Sequence, residues 1–394
     1  MRILISAGEA SGEMYGAQLI RAMQRHATSH PGRARAGDPG QQSSSSEAAL
    51  LEFFGVGGEK MRAAGCDTIV DAKDLAVVGI SEILGHLPKI WRLFHQLVAE
   101  AGKRRPGLAI VIDSPAFNWR VARQMKKRGI PVVYYVCPQF WAWRQGRVRL
   151  LRKYVDKALV IFPFEEKFYR DHGVDATFVG HPLAGLPKPA ITREAYAAEH
   201  RLDPAKNWIT LMPGSRVKEV RMNLPTILQS AAKLGGEYEF LLPVAPTLDR
   251  CFLTSLVGSQ PIHLVSESLP ALAHSRAGIV ASGTATVEGA MMGTPFVMVY
   301  RVSAFTYFVG RRTVKVPHFA MVNLIAGKEI VPELVQHDFT AEKVVAQLQQ
   351  IIADGPARDQ MILGLQEVRD RLGHSDRDQR PPADQASDAV FKLM

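Results

Sequence analysis

Asp113 closes the stretch LAIVIDSPAFN (108–118), where five apolar residues lead directly into an acid. A carboxylate at the tip of a buried strand, its turn stiffened by Pro115 and followed by the amide of Asn118, is placed to take a proton from a substrate hydroxyl. The alternative use of these residues is as a cap for a helix starting near Asn118. A second acid-bearing turn opens the chain. In SAGEASGEMYG (6–16), Gly8 and Gly12 let the backbone turn tightly after an apolar strand and bring the unpaired N–H groups of the next helix to the strand end. Ser11 suits helix capping and Glu13 suits the helix dipole, whereas Glu9 lies ahead of the helix and is harder to explain structurally.

Two further turns read as anion cradles. In LMPGSRVKEV (211–220), Gly214 and Ser215 expose helix N-terminal N–H groups and Arg216 adds a planar fork of donors. The lysine and spacing of a Walker loop are missing, so ATPase or GTPase chemistry is not indicated. In VASGTATVEGAMMGTP (280–295), Ser282, Gly283 and Thr284 supply backbone donors and hydroxyls for a pyrophosphate, and Glu288, a turn further on, suits ribose hydroxyls. Two such turns on one sheet fit a nucleoside diphosphate better than a single phosphate. Weaker candidates are His181 in GHPL, open to a structural or a functional role, and the pair Asp376 and Asp378 in SDRDQ, which reads as solvated charge. No His/Cys/Asp cluster has metal-ligand spacing, and no cofactor is called for. CPQFWAWRQGR (137–147) interleaves bases with Trp141 and Trp143, a pattern that fits core packing or a ligand channel better than a nucleic-acid surface.

These turns require strands to end at them and helices to cover the strands. Short β-branched runs alternate with amphipathic stretches: RILIS, EFFGVG, LAIVID, PVVYYV, ALVIF and ATFVG, then WITLMP, YEFLLPV, IHLVS, AGIVAS and PFVMVY. This predicts an α/β protein with two doubly wound parallel sheets. The expected division is an N-terminal domain over 1–185, a second domain over 186–360 and a C-terminal segment over 361–394 that packs back on the first. GHPLAGLPKPAITREA (180–195) reads as the hinge, and the Gly/Ser/Gln-rich stretch 29–49 as a flexible insertion.

Composition narrows the partners. The chain has 394 residues, 47% apolar and 22% charged, enough for two sizeable cores. Its net charge of +10 points to an anionic partner. Three scattered cysteines, Cys66, Cys137 and Cys251, suit a reducing compartment. The N-terminus is too short in apolar residues for a signal sequence, and no run approaches the roughly 18 residues of a membrane span. The expectation is a cytoplasmic protein that can touch a membrane surface. In the segment 75–105, Val77, Val78, Ile80, Ile83, Leu84 and Leu87 begin an apolar stripe that continues through Ile90, Trp91 and Phe94, with basic residues nearby. A core helix explains such a stripe as well, but the stripe holds more apolar surface than one buried face needs.

Taken in order, SAGEASGE, VIDSPAFN, YVCPQFWAWRQGRV, IFPFEEKFY, FVGHPL, PGSRVKEV and ASGTATVEGAMMGTPFVMVYR closely resemble the lipid A disaccharide synthase family, over a span reaching about residue 335. The resemblance implies a GT-B architecture, with two Rossmann-like domains facing each other across a cleft. It implies inverting transfer of 2,3-diacylglucosamine from UDP to the 6-hydroxyl of 2,3-diacylglucosamine 1-phosphate, giving a β-1',6 disaccharide and UDP without a metal. Asp113 then matches the general base. Gly214, Ser215, Arg216, Ser282, Gly283, Thr284, Glu288 and Asn323, the last in PHFAMVNLIAG, match the UDP-sugar side. Gly8, Glu9, Ser11, Gly12, Glu13 and Asn118 line the acceptor side, and residues 77–87 match a docking surface for the cytoplasmic leaflet of a Gram-negative-type inner membrane. Nucleic acid is not an expected partner. Two positions depart from the family pattern: Glu13 replaces an aspartate and Ala116 an acid. The alternatives are an isomerase like UDP-N-acetylglucosamine 2-epimerase, which needs no apolar docking surface, and a catalytically silent UDP-sugar or lipid binder.

Overall fold

The computed structural model describes residues 1–29, 51–75, 80–143, 145–185, 188–303, 307, 316–373 and 380–394. The expected insertion 29–49, apart from Ser29, and also Val77, Val78, Asp376 and Asp378, lie outside the described residues. The chain divides into two compact units, Met1–Gly185 with Leu372–Met394, and Leu186–Arg371.

The first unit runs β1 (Arg2–Ala7), α1 (Ala10–Ser29), β2 (Glu52–Gly57), α2 (Glu59–Ala63), β3 (Cys66–Asp71), α3 (Ile80–Arg104), β4 (Leu108–Ile112), α4 (Pro115–Lys127), β5 (Val132–Tyr135), α5 (Val148–Tyr154), β6 (Lys157–Val160), α6 (Pro163–Asp171) and β7 (Ala176–Phe178). All strands are parallel, in the order β3-β2-β1-β4-β5-β6-β7. The central strands are nearly continuous apolar runs because helices cover both faces, and all of β4 is buried. β3, CDTIVD, was not among the expected strands. As an edge strand it is half exposed and carries Asp67 and Asp71, so it has no continuous apolar run to betray it.

The second unit runs α7 (Arg193–His200), β8 (Asn207–Met212), α8 (Val217–Leu234), β9 (Tyr238–Pro243), α9 (Arg250–Val257), β10 (Ile262–Val265), α10 (Ser268–His274), β11 (Ala277–Ala281), α11 (Thr284–Met292), β12 (Phe296–Tyr300), α12 (Met321–Ala326), β13 (Glu333–Val335), α13 (Ala341–Ile352) and most of α14 (Pro356–Gly373). Its parallel order is β10-β9-β8-β11-β12-β13. The three-residue edge strand β13 was also not expected from sequence.

The chain re-enters the first unit at Leu372, and α15 (Pro382–Phe391) lies along α1. Phe391 stacks on His26 with ring centroids 4.2 Å apart, and Arg25 and His26 reach Asp384 and Asp388 at 2.7 Å each. Ala386 and Val390 are buried there. The expected packing of the C-terminal segment onto the first unit is thus made by this helix, through Ala386, Val390 and Phe391.

Candidate functional site

Strand order reverses between β1 and β4 in the first unit and between β8 and β11 in the second. At such switch points the flanking turns diverge and leave a crevice at the carboxyl ends of the strands. The turns singled out from sequence follow these four strands.

In the first unit, Asp113 and Ser114 both adopt left-handed backbone, with φ of 49° and 45°. Two consecutive non-glycine residues in that region cost about 1–3 kcal/mol each, so the surroundings must hold them. The Tyr134 hydroxyl donates to the Asp113 carbonyl at 2.8 Å, and the Asp113 N–H donates to the Tyr135 carbonyl at 3.1 Å. Burial, reinforced by the Asp113 carboxylate, drives the Tyr134 phenol far above its ordinary range and keeps it a donor. The adjacent strand end carries a third unusual residue, Val136, with φ of 58°. Pro115 at the first position of α4 fixes the helix start.

Asn118, expected on the acceptor side, is fully buried. Its amide donates to the carbonyls of Ser6, Ile112 and Asp113, and its oxygen accepts from the Ser6 hydroxyl at 2.7 Å. It ties the ends of β1 and β4 together and holds Asp113 through its backbone. The helix also begins three residues earlier than expected, with Ser114 as its N-cap.

The opening turn packs against this one. A Cβ on Gly8 would lie 2.6 Å from the Ser114 hydroxyl, and one on Gly12 would lie 3.8 Å from the Asp113 Cβ. Ser11 is half-buried and Glu9 is exposed. Glu13 turns away to another helix: its carboxylate accepts the Lys60 N–H at 2.7 Å, capping α2, and crowds Gly58. Glu13 is thereby a structural tie.

Trp141, Glu165 and Tyr169 organise the loop after β5. Glu165 is fully buried and accepts from the Trp141 indole at 2.8 Å and from the backbone N–H groups of Ile161 and Phe162 at 3.1 Å each. Burial pushes its carboxyl up to about 7, against the pull of those donors. The Tyr169 hydroxyl donates to the Pro138 carbonyl. His181 is also buried, accepts the Leu183 N–H at 3.2 Å, and is lowered by burial to about 3. It is a neutral structural histidine.

The second unit meets the same demand with glycine. Gly214 has φ of 121° and leaves no room for a side chain, since a Cβ would lie 2.7 Å from that of Glu219. The cradle already holds a carboxylate: Glu219 accepts the Ser215 N–H at 3.2 Å and pairs with Arg216 at 2.9 Å. Nothing in the sequence alone marks Glu219, whose contacts exist only once the turn folds back on it. Gly283, with φ of 124°, precedes α11; the Ser282 hydroxyl donates to the Phe319 carbonyl at 2.7 Å, and Thr284 is exposed. Glu288 accepts from the Ser268 hydroxyl at 2.6 Å, and burial raises its carboxyl. Asn323, expected near the donor, is fully buried and spent on Val331, Glu333 and the N–H groups of Ile330 and Val331. It positions Glu333, which in turn accepts the Phe319 and Ala320 N–H groups ahead of α12.

The side chains of Ile80, Ile83, Leu84 and Leu87 also lie outside the described residues. Further along α3, Phe94 enters the core, Ile90 packs against it, and Trp91 is 58% exposed. Among the described residues, no helix is long and apolar enough to cross a membrane, and no group of three His, Cys, Asp or Glu is gathered for a metal.

Two Rossmann-like parallel-sheet units with these turns define the GT-B class, and solved structures agree. An S. aureus MnaA–UDP co-structure matches with TM-score 0.63 at 12% identity, covering 100% of this chain and 96% of that one. The glycotransferase of kitacinnamycin matches at 0.60 and 14%, covering 100% and 98%. A Neisseria meningitidis UDP-GlcNAc 2-epimerase bound to UDP-GlcNAc matches at 0.61 and 12%, covering 100% and 99%. At these identities the likeness is one of fold. Sequence separates transferase from epimerase: the model for lipid-A-disaccharide synthetase matches residues 3–386. A lipid-A-disaccharide synthase of Koribacter versatilis is 52% identical, covering 100% of this chain and 98% of the relative, and one of Acidobacterium capsulatum is 48% identical, covering 94% and 91%. The chain belongs to the lipid-A-disaccharide synthase family, glycosyltransferases of lipid A biosynthesis.

Proposed function

We propose that this protein transfers 2,3-diacylglucosamine from UDP to the 6-hydroxyl of 2,3-diacylglucosamine 1-phosphate, with inversion and without a metal, at the cytoplasmic leaflet of the inner membrane. The Asp113 carboxylate takes the hydroxyl proton. The oxygen bonds to the sugar C1 as the C1–O bond to phosphate breaks, and UDP departs with the electron pair. Inversion needs one base and no enzyme nucleophile. Gly8, Glu9, Ser11 and Gly12 are the acceptor-side groups. Arg216 and the turns at Gly214–Ser215 and Ser282–Thr284 offset the charge growing on the diphosphate, and Glu288 takes ribose hydroxyls.

The observation that carries this reading is the fixed position of Asp113, held in strained backbone at the switch point by Tyr134, Asn118 and Tyr135. In the second unit, Glu219 stands where a phosphate would be received, and donor binding exchanges its carboxylate for phosphate oxygens on Ser215 and Arg216. The test is UDP release from UDP-2,3-diacylglucosamine in detergent without added metal, with and without the acceptor. Acceptor-dependent release with a disaccharide product is expected. UDP binding with no release in either case sinks the transferase reading, and conversion of the donor sugar without an acceptor replaces it with an isomerase.

A further inference from the structure

We propose that the outward face of α4 and α5 is the surface by which this protein lies on an anionic phospholipid leaflet. Residues 114–155 contain seven Arg, three Lys and no Asp or Glu, which leaves the rest of the chain with 38 basic and 38 acidic residues. The whole net charge of +10 therefore resides in one stretch. The fold gathers that stretch on one side. Phe117, Val121, Ala122 and Met125 of α4 enter the same core as Val148 and Leu151 of α5, and the two helices pack together, so their polar sides share a surface.

Lys126 pairs with Asp156, but other cations there are left available. Arg123, Arg149, Arg152 and Lys153 are exposed and form no ion pair among the described residues. Elsewhere in the unit, surface cations meet acids, as in Arg2–Glu52, Arg62–Asp71 and Lys157–Asp175. Arg149, Arg152 and Lys153, with Leu150 and Tyr154, line an open concavity of about 480 Å³. The Tyr154 ring carries Lys153 at 5.5 Å and Arg123 at 6.0 Å from its centroid, bringing two like charges to one ring. Such an arrangement opposes folding through self-repulsion and gains only when an anionic surface covers it.

A lipid leaflet fits better than a polynucleotide because the neighbouring exposed residues are those of a membrane–water interface. Trp143 is 45% exposed just ahead of α5, and Trp91 is 58% exposed on α3, whose Phe94 packs edge-on against Phe117 of α4 at 5.9 Å. The proposal rests on the proposed function only in taking the substrates to be lipids. It adds to the apolar stripe of α3 a separate electrostatic contact on other helices.

The test is flotation of the full chain with phosphatidylcholine vesicles, with and without phosphatidylglycerol. Wild type should float only with phosphatidylglycerol and should release at high salt, which screens charges beyond about 8 Å even at physiological strength. The triple variant Arg149→Gln/Arg152→Gln/Lys153→Gln should lose roughly 100-fold in partition, about five-fold per cation. The charge-matched control Lys167→Gln/Lys328→Gln/Lys343→Gln, at cations the structure shows paired, should lose far less. Circular dichroism and UDP release in neutral detergent should match wild type for both. Equal losses in the two variants would reduce the effect to net charge and overturn the proposal, as would unchanged flotation of the triple variant. RNA binding that depends on these three cations, without vesicle binding, would overturn it in favour of nucleic acid. Vesicle binding by a protein that never releases UDP would leave this proposal standing and remove the transferase reading.

Discussion

The two switch points solve one geometric problem in opposite ways. After β4 in the first unit, and after β8 and β11 in the second, the backbone takes positive φ where the strand turns into a helix. The second uses Gly214 and Gly283 at φ of 121° and 124°, beyond the left-handed helical well and open to glycine without steric cost. The first forces Asp113 and Ser114 into that well and restrains them with a buried tyrosine, a buried asparagine and a strand carbonyl. The difference follows from what each turn presents. Backbone N–H groups can be offered by glycine, so the turn proposed for the diphosphate needs no strain and holds an internal carboxylate, Glu219. In the proposed reaction the base is a side chain at one fixed point, so its turn cannot be glycine and the strain is retained.

The largest expected effect comes from Asp113→Asn. It should lower turnover by roughly 100- to 10,000-fold, the range for losing a general base, with UDP affinity unchanged. Near-normal turnover by a folded variant would remove Asp113 from the chemistry. Next in size is a pH effect at Glu165, which anchors the loop beside that turn. Its carboxyl rises from 4.5 to about 7 on folding, so the folded protein keeps the proton longer than the unfolded chain. The stabilisation from that proton is complete below about pH 4.5 and is lost as pH climbs towards 7. Glu165→Gln abolishes this dependence, and relative to wild type it should gain up to about 3 kcal/mol between those limits, read by urea unfolding near both ends. A pH-independent difference would show that the burial of Glu165 has no such consequence.

On the second unit, Arg216→Ala should weaken UDP binding by about 10- to 100-fold, as for one charge-assisted hydrogen bond, with little loss of fold stability. Calorimetry showing unchanged affinity would take Arg216 off the donor side. The smallest effect tests the strain itself: Ser114→Gly should raise unfolding stability by up to about 1 kcal/mol while lowering turnover, because relieved backbone no longer fixes Asp113. A less stable variant would mean that the Ser114 side chain contributes more than its backbone costs.

Much of this was legible in the chain because parallel strands buried on both faces read as continuous apolar runs. RILIS, LAIVI and AGIVA need no partner information to be recognised. The short or half-exposed edge strands β3 and β13 lack that signal and exist because a neighbour pairs with them. The site divides likewise. An acid after a buried strand announces Asp113, and Gly-Ser turns announce the cradles.

The doubly buried strands, the turns that follow them and the family are written in the order of the chain, since each depends on residues adjacent in it. Tertiary structure decided the rest. It bound Asn118 to Ser6 across 112 positions, placed the hydroxyl of Tyr134 on Asp113, sent Glu13 to the helix at Lys60, and put Glu165 against Trp141. It also packed α4 and α5, which carry much of the basic stretch 114–155, against each other. Hydrogen bonds and charge gradients form between neighbours in space, and a linear chain does not state which residues those will be.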